Sequence, residues 1–429
     1  MKNNISELKI NEECNVCGFI ENLRDKSYMQ FIVLKDATGK IQITVEKEKL
    51  PEIASVFSSL TLHSVVRVKG QVVENSFVKL GGKEIIPTQV EVLSKAEASP
   101  IDENSAPDLK LDYRWIDLRS EKNILIFKIR TELENLMRQY FINHGFIEIH
   151  TPKITTMSSE GGAEVFKLDY YGKDAYLTQS PQFYKQMAMA GGFEKVFEIG
   201  AMYRAEKSST NRHTCEAVCL DIEVSYLENL DELLALEEDW MKFVFKGIKE
   251  KFGEEIKNVF GQKIEEINHS FPKITMAQAF EILKDKFGYT LPNPDDLDTK
   301  GEQLICEYAK KEFGSDFVFI TGYRPEARAF YTQKNDDGKT CKGFDLLYKG
   351  IELNSGAIRE HRPDVLASQI AEHGIRPEVL NEYIEFFRYG CPPHGGFGLG
   401  IDRVLVKMLG LASNRDVIFL FRGPDRIKP

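Results

Sequence analysis

Apolar and polar residues alternate with period two in five short runs over the first hundred positions: 15–23, 29–34, 41–45, 65–72 and 89–93. Such alternation sends successive side chains to opposite faces of an extended chain, so each run predicts a half-buried strand. Asp36-Ala37-Thr38-Gly39-Lys40 is turn material between the second and third runs, and a longer segment, 47–60, follows the third. A polar stretch, 94–110, reads as a linker. From about Asp112 the period changes. Ile126, Ile129, Leu133, Leu136 and Tyr140 step at helical spacing and predict a helix over 121–143, stopped by Gly145. Residues 146–149 then alternate as a strand before Thr151-Pro152. Further strands are expected at 175–178, 196–199, 219–226, 317–321 and 342–353, and helices at 231–250, 276–287, 363–371 and 377–389.

The first hundred residues thus predict a five-stranded OB-fold β-barrel. The remainder predicts an α+β domain, an antiparallel sheet with helices interrupted by a mostly helical insertion at about 228–315. The expected boundaries are 1–95 for the barrel, 96–118 for a hinge or linker and 119–429 for the second domain; a length of 429 suits two or three folding units. No apolar run nears the ~18–20 residues of a bilayer span. The polar start Met1-Lys2-Asn3-Asn4 lacks the basic-then-apolar pattern of a signal peptide. Seven cysteines at irregular spacing fit reduced thiols in a cytoplasmic protein, and Cys14-x-x-Cys17 has no second half to complete a zinc site. The formal charge of −10 argues against a generic nucleic-acid coat. It does not exclude RNA, because residues 1–100 hold 13 basic and 13 acidic side chains and the rest of the chain carries the whole excess.

Three segments carry candidate chemistry. In Gly395-Gly396-Phe397-Gly398-Leu399-Gly400-Ile401-Asp402-Arg403, a glycine-rich strand runs into a helix. A nucleotide can approach such a backbone closely, the helix start favours phosphate, and an arginine there can stack on a base. The alternative is a junction that serves packing alone. Tyr203-Arg204-Ala205-Glu206 followed by Arg212-His213 could span a triphosphate, with Arg204 at the α-phosphate, or could be a solvated charged hairpin. The third, residues 145–154, is a helix–strand corner closed by Pro152, or simple punctuation.

Together and in this order, these segments resemble the signature of class II aminoacyl-tRNA synthetases, and the N-terminal barrel is similar to that of their aspartate, asparagine and lysine subgroup. Gln179-Ser180-Pro181-Gln182-Phe183-Tyr184-Lys185 resembles the amino-acid pocket of the aspartate enzymes, and Ser159-Glu160-Gly161-Gly162 their amino-group clamp. Phe344-Asp345-Leu346 with the segment from Gly350 to Arg359 resembles the strand pair that supplies metal and aspartate ligands. The likeness runs from the barrel to Arg403. The lack of a large insertion after the second motif resembles the archaeal and eukaryotic type.

The resemblance implies an ATP-dependent, AMP-forming ligase. It would activate L-aspartate with ATP and Mg²⁺ and pass the aspartyl group to tRNA(Asp), with tRNA(Asn) left open as a second acceptor. Catalysis would rest on Arg204, Glu352 and Arg403. ATP would be held by these three with Ala205, Glu206, Arg212, His213, Thr214, Gly400, Ile401 and Asp402. Aspartate would meet Glu160, Gln182, Phe183, Tyr184, Lys185, Arg204, Asp221, Ser355 and Arg359. Asp345, Glu352 and Ser355 would hold the metal, whose hard charge suits oxygen ligands. Phe31 and Gln42 on the barrel would read the anticodon, and Pro152 would lie in a homodimer interface.

Charge supports the substrate assignment, since a dicarboxylic amino acid calls for two cations and Lys185 and Arg359 supply them. An asparaginyl enzyme would differ mainly at Lys185. An asparagine synthetase of this lineage would lack the barrel, and a non-catalytic RNA-binding paralogue would be expected to lose Arg204, Glu352 or Arg403. Two departures stand out. Phe19 follows Gly18 where relatives restricted to tRNA(Asp) often carry tryptophan, which leaves the second tRNA open. Ala217-Val218 stands where many relatives offer adenine an aromatic, which gives most of the stacking to Arg403.

Overall fold

The computed structural model describes residues 2–156, 164–207 and 214–429, and contacts divide the chain into two compact units, Met1–Arg119 and Ser120–Pro429. In the first, strands β1 (Glu13–Asp25), β2 (Met29–Lys35), β3 (Lys40–Glu46), β4 (Val65–Glu74) and β5 (Lys83–Ser94) close into a barrel in the order β1-β2-β3-β5-β4. Alternation drives the closure: Val16, Ile20, Ile32, Leu34, Ile41, Ile43, Val66 and Val68 all point inward and are fully buried. Phe57, on the helix Pro51–Ser58 within the long segment after β3, joins the same core. β5 begins six residues before the expected 89–93. Pro87 hides this start in the sequence; it sits where the β4–β5 register shifts, and a bulge tolerates its missing N–H. The expected linker 96–118 contains two short helices, Pro107–Asp112 and Arg114–Asp117, and belongs to the first unit by its contacts.

The second unit is built on one large sheet. Its strands are β6 (Ile147–Glu148), then, after the small three-stranded sheet of β7 (Ile154–Thr155), β8 (Lys167–Tyr170) and β9 (Lys173–Leu177), β10 (Lys195–Tyr203), β11 (Glu216–Ser225), β12 (Lys273–Thr275), β13 (Phe317–Thr321), β14 (Gly343–Tyr348), β15 (Ile351–Ile358) and β16 (His394–Gly400). The order is β12-β13-β14-β15-β16-β11-β10-β6, antiparallel except for the two outermost pairs. The alternation predicts one strand over 342–353, whereas the resemblance implies a strand pair there. The structure folds it into a hairpin at Lys349-Gly350, whose φ values of 46° and 82° make the tight turn that matches strand twist.

The two faces of the sheet differ in kind. Leu220, Ile222, Phe397, Leu399 and Leu353 pack with the helices Glu121–Asn143 and Leu230–Phe260, where Trp240 stacks on Phe397 at 6.2 Å. The intervening residues, Asp221, Glu223, Gly396, Gly398 and Gly400, point the other way. Strand alternation therefore puts the polar and side-chain-free positions together on one surface. Among the described residues, no helix is long and apolar enough to cross a membrane.

Candidate active site

That surface forms the floor of a cleft of about 330 Å³, lined by β10, β11, β15 and β16 and closed on one side by residues 328–332. Arg204, Arg359 and Arg403, together with Glu352 and Asp221, all border this one hollow. Gly396 is needed, and Gly398 leaves little room for a side chain, because β11 and β16 pair in register there. A methyl at Gly396 would lie 2.1 Å from the Ile222 carbonyl and 2.3 Å from a Glu223 oxygen, and one at Gly398 3.0 Å from Asp221.

Around Arg359 and Asp221, charges are buried and paired. Glu223, fully buried, accepts from Arg359 Nε at 3.0 Å and from Nη2 at 3.4 Å, and Lys185 Nζ stands 3.3 Å away. Lys185 also donates to Asp221 at 2.9 Å, and to the carbonyls of Phe397 at 3.2 Å and Ile222 at 3.3 Å. Burial alone would raise the Glu223 carboxyl; the Arg359 and Lys185 charges outweigh it and hold the group below the usual range. The two expected substrate cations thus converge on one carboxylate. Lys185 has its donors committed to the protein and lies one layer behind the cleft wall, whereas Arg359 borders the cleft. Arg359 Nε and Nη2 are taken by Glu223 and the Gly396 carbonyl, and among the described residues no acceptor takes Nη1. Gln182 also lines the cleft. Its Nε2 donates to Gln186 Oε1, which accepts from Tyr383 as well, so Gln182 turns its carbonyl oxygen to the opening. Phe183 faces elsewhere, stacked on Tyr383 at 4.2 Å. Tyr184 lies in a separate recess with Phe386 and Tyr389, its hydroxyl 3.2 Å from Thr155 Oγ1.

The end of the cleft around Arg204 and Arg403 is more open. The Arg204 side chain is 46% exposed and pairs with Glu206 at 3.7 Å. Thr214 and Ala217 complete that wall. Arg403, in the first turn of the helix Ile401–Leu409, donates through Nη1 to the Glu352 carbonyl at 2.8 Å and its carboxylate at 3.1 Å. Burial, helped by the Asp345 charge, pushes Glu352 up to about 7. Gly400 lines the cleft, but the Ile401 side chain is wholly in the core. Asp402 touches the cleft edge while its carboxylate is bound at 2.5 Å by Arg130. Arg212 and His213, with Glu160 and the rest of the expected amino-group clamp, lie outside the described residues.

Asp345, expected beside the metal, has both oxygens engaged by protein. Arg328 Nη2 meets Oδ1 at 2.7 Å, Nη1 meets Oδ2 at 3.0 Å, and the Tyr323 hydroxyl donates to Oδ2 at 2.6 Å. Arg328 also donates to Ser355 Oγ. Arg328 was missed by the sequence reading, as was Glu223. Both act through partners distant in the chain, and no local spacing announces them.

On the barrel, Phe31 and Gln42 project from the outer face and are half-buried. Phe31 pairs across with Thr44, two residues from Gln42, so the two side chains are neighbours on one face. Glu84 Oε2 accepts from Gln42 Nε2 at 2.9 Å and fixes which way the amide points. Pro152 is exposed at the corner between β6 and β7, beside the 47% exposed Ile147 and Ile154. Glu198 anchors that corner, accepting from the Thr151 amide at 3.1 Å and from Lys153 Nζ at 2.6 Å.

The charged cleft lies on the polar face of a mainly antiparallel sheet, with Arg204 and Arg403 both on its lining, and sequence comparison gives the family. The chain belongs to the tRNA synthetases class II (D, K and N), which it matches over residues 106–422, and residues 14–93 match the OB-fold nucleic acid binding domain. It is 41% identical to the aspartate–tRNA(Asp) ligase of Pyrococcus abyssi over 98% of both chains. It is 40% identical to the aspartate–tRNA(Asp/Asn) ligase of Methanopyrus kandleri over 97% of this chain and 96% of that one. Among solved structures it resembles the Pyrococcus horikoshii asparaginyl-tRNA synthetase complexed with asparaginyl-adenylate, with a TM-score of 0.93 at 30% identity over the whole of both chains. The aspartyl-tRNA synthetase of Entamoeba histolytica is similar at a TM-score of 0.88 and 30% identity, covering 100% of this chain and 93% of that one.

Proposed function

We propose that this chain is an aspartate–tRNA ligase. The observation that carries the reading is Arg359, which borders the cleft with an Nη1 that no acceptor takes among the described residues, in a hollow that Arg204 and Arg403 also border. Full-length relatives that bear the aspartate–tRNA ligase name support it.

In the first step the substrate α-carboxylate attacks the α-phosphorus of ATP in line and pyrophosphate leaves. The protein's task is to position two anions and to meet the charge that grows between them. Arg204 reaches over both and neutralises the α-phosphate; Arg403 covers the adenine, with Ala217 offering only a small apolar face beneath. In the second step the tRNA 3′ end attacks the aspartyl carbonyl and AMP leaves. No side-chain nucleophile is required.

Glu352 and Ser355 open onto the same part of the cleft and are hard oxygen donors, so they fit Mg²⁺, while Asp345 stands behind them through Arg328. Held there, Mg²⁺ would draw charge from the ATP phosphates. Arg359 Nη1 takes the side-chain carboxylate of aspartate, Asp221 takes its ammonium, and the Gln182 carbonyl accepts from the same ammonium. Lys185 acts by holding Asp221 and Glu223 in place. Asparagine would offer an amide donor to the Arg359 donors, a mismatch that supports discrimination on the order of 10⁴.

Phe31 stacks on an anticodon base for roughly 1–3 kcal/mol, and Gln42 bonds its edge. Aspartate and asparagine anticodons share the middle base that this pair reads, so tRNA(Asn) is a second acceptor to be tested beside tRNA(Asp). The exposed Ile147, Pro152 and Ile154 form a two-fold contact in a homodimer. ATP–pyrophosphate exchange driven by aspartate and not by asparagine is the expected result; exchange driven equally by asparagine would overturn the amino-acid assignment. A single-chain mass in light scattering at micromolar concentration would overturn the dimer.

A further inference from the structure

Glu352 and Ser355 are three residues apart on one strand, and in a regular strand residues three apart face opposite ways. Both nevertheless border the cleft. The register explains how: Leu346 pairs with Asn354 and Leu347 with Glu352, leaving Leu353 with no partner on β14. This is a β-bulge, and it inserts one extra inward residue. Leu353 and Asn354 are consecutive and both only 1% exposed, while Glu352 and Ser355 on either side of them face out.

An inward asparagine in an apolar core is costly unless its amide is satisfied. Asn354 Oδ1 accepts from the Leu346 amide at 3.1 Å, standing in for a ladder carbonyl, and Nδ2 donates to Glu237 Oε1. Glu237 is wholly buried on the helix Leu230–Phe260, and burial raises its carboxyl well above the usual range. Beside the bulge, the Glu352 carbonyl accepts from Arg403 at 2.8 Å.

We propose that Asn354 and Glu237 are positioning residues: they lock the bulge that brings Glu352 and Ser355 onto one face as a metal site and sets Arg403 over the nucleotide. The inference rests on the reading above that Glu352 and Ser355 hold the metal. The test measures Mn²⁺ binding by electron paramagnetic resonance on the full chain with a non-hydrolysable ATP analogue. The Mg²⁺ concentration for half-maximal pyrophosphate exchange is measured alongside.

Asn354→Ala and Glu237→Ala are expected to weaken Mn²⁺ binding about tenfold or more and to raise the Mg²⁺ requirement in parallel, with little change in KM for aspartate. Glu237→Gln keeps an acceptor for Asn354 and is expected to bind Mn²⁺ like the parent. Parent-like Mn²⁺ binding by folded Glu237→Ala would overturn the proposal. So would a loss in Glu237→Gln equal to that in Glu237→Ala, which also decides the matter if Asn354→Ala fails to fold. Glu352→Gln serves as the control: if it retains Mn²⁺ binding, the metal-site reading fails, not the locking of the bulge by Asn354 and Glu237.

Discussion

The two ends of the cleft solve recognition differently. At the end proposed for the amino acid, the charges of Asp221, Glu223, Lys185 and Arg359 are buried and already paired, so the pocket's shape is set before any ligand arrives. At the end proposed for the nucleotide, Arg204 is nearly half exposed, and the side chain of Arg403 is 26% exposed. Preorganised buried charge gives selectivity, because a wrong ligand leaves desolvated groups unmatched. Exposed charge is easily rearranged and suits a polyanion that all enzymes of this kind must accept. Breaking the first end should therefore disturb fold and function together, and breaking the second should disturb function alone.

The largest effect is expected from Glu223→Ala. It leaves Arg359 and Lys185 buried against too little negative charge, and removing one partner of a buried pair costs about 3–5 kcal/mol. Urea denaturation should show this, together with loss of aspartate-driven exchange. Arg204→Ala should lower the exchange rate about 10²–10³-fold while the denaturation midpoint stays within error of the parent. If the midpoint falls with the rate, the contrast between the two ends fails. Phe31→Ala lies outside the cleft and sets its baseline: KM for tRNA should rise by a factor equivalent to about 1–3 kcal/mol, with exchange unchanged.

The smallest effect concerns pH. His394 lies beside Glu223 and Arg359, with His361 near, and burial holds its imidazole below the ordinary value of 6.5. The folded chain thus keeps it neutral while the unfolded chain takes up a proton as pH falls through 6.5. Stability from this group is complete above 6.5 and falls with acid by at most about 1.4 kcal/mol per pH unit. Chemical denaturation at pH 7.5 and 5.5 should show a smaller acid loss in His394→Gln than in the parent.

Much of the architecture was legible in the sequence because alternation and helical spacing are local. The helix at 121–143 and the strand at 317–321 appear where the pattern puts them. Alternation alone ran the hairpin at Lys349-Gly350 into one strand because its turn lacks the usual asparagine or aspartate, and only the resemblance implied a strand pair there; β5 was shortened by a proline that a bulge excuses. In the site, the motif arginines Arg204 and Arg403 were visible as residues set beside glycines and turns. Glu223, Arg328 and Asn354 were not, because each matters through a partner that only the sheet brings near: Arg359 for Glu223, Asp345 for Arg328 and Glu237 for Asn354. The layering of Lys185 behind the wall was equally unreadable, since a sequence shows that a cation is present but not where its protons go.

The missing side chains of Gly396 and Gly398 have a consequence of their own. They act as a mould: the space a methyl would claim is already filled by the oxygens of the neighbouring strand's acids. A randomised codon at Gly396 should therefore return glycine alone among functional clones, even though no atom of that residue's side chain ever meets a substrate.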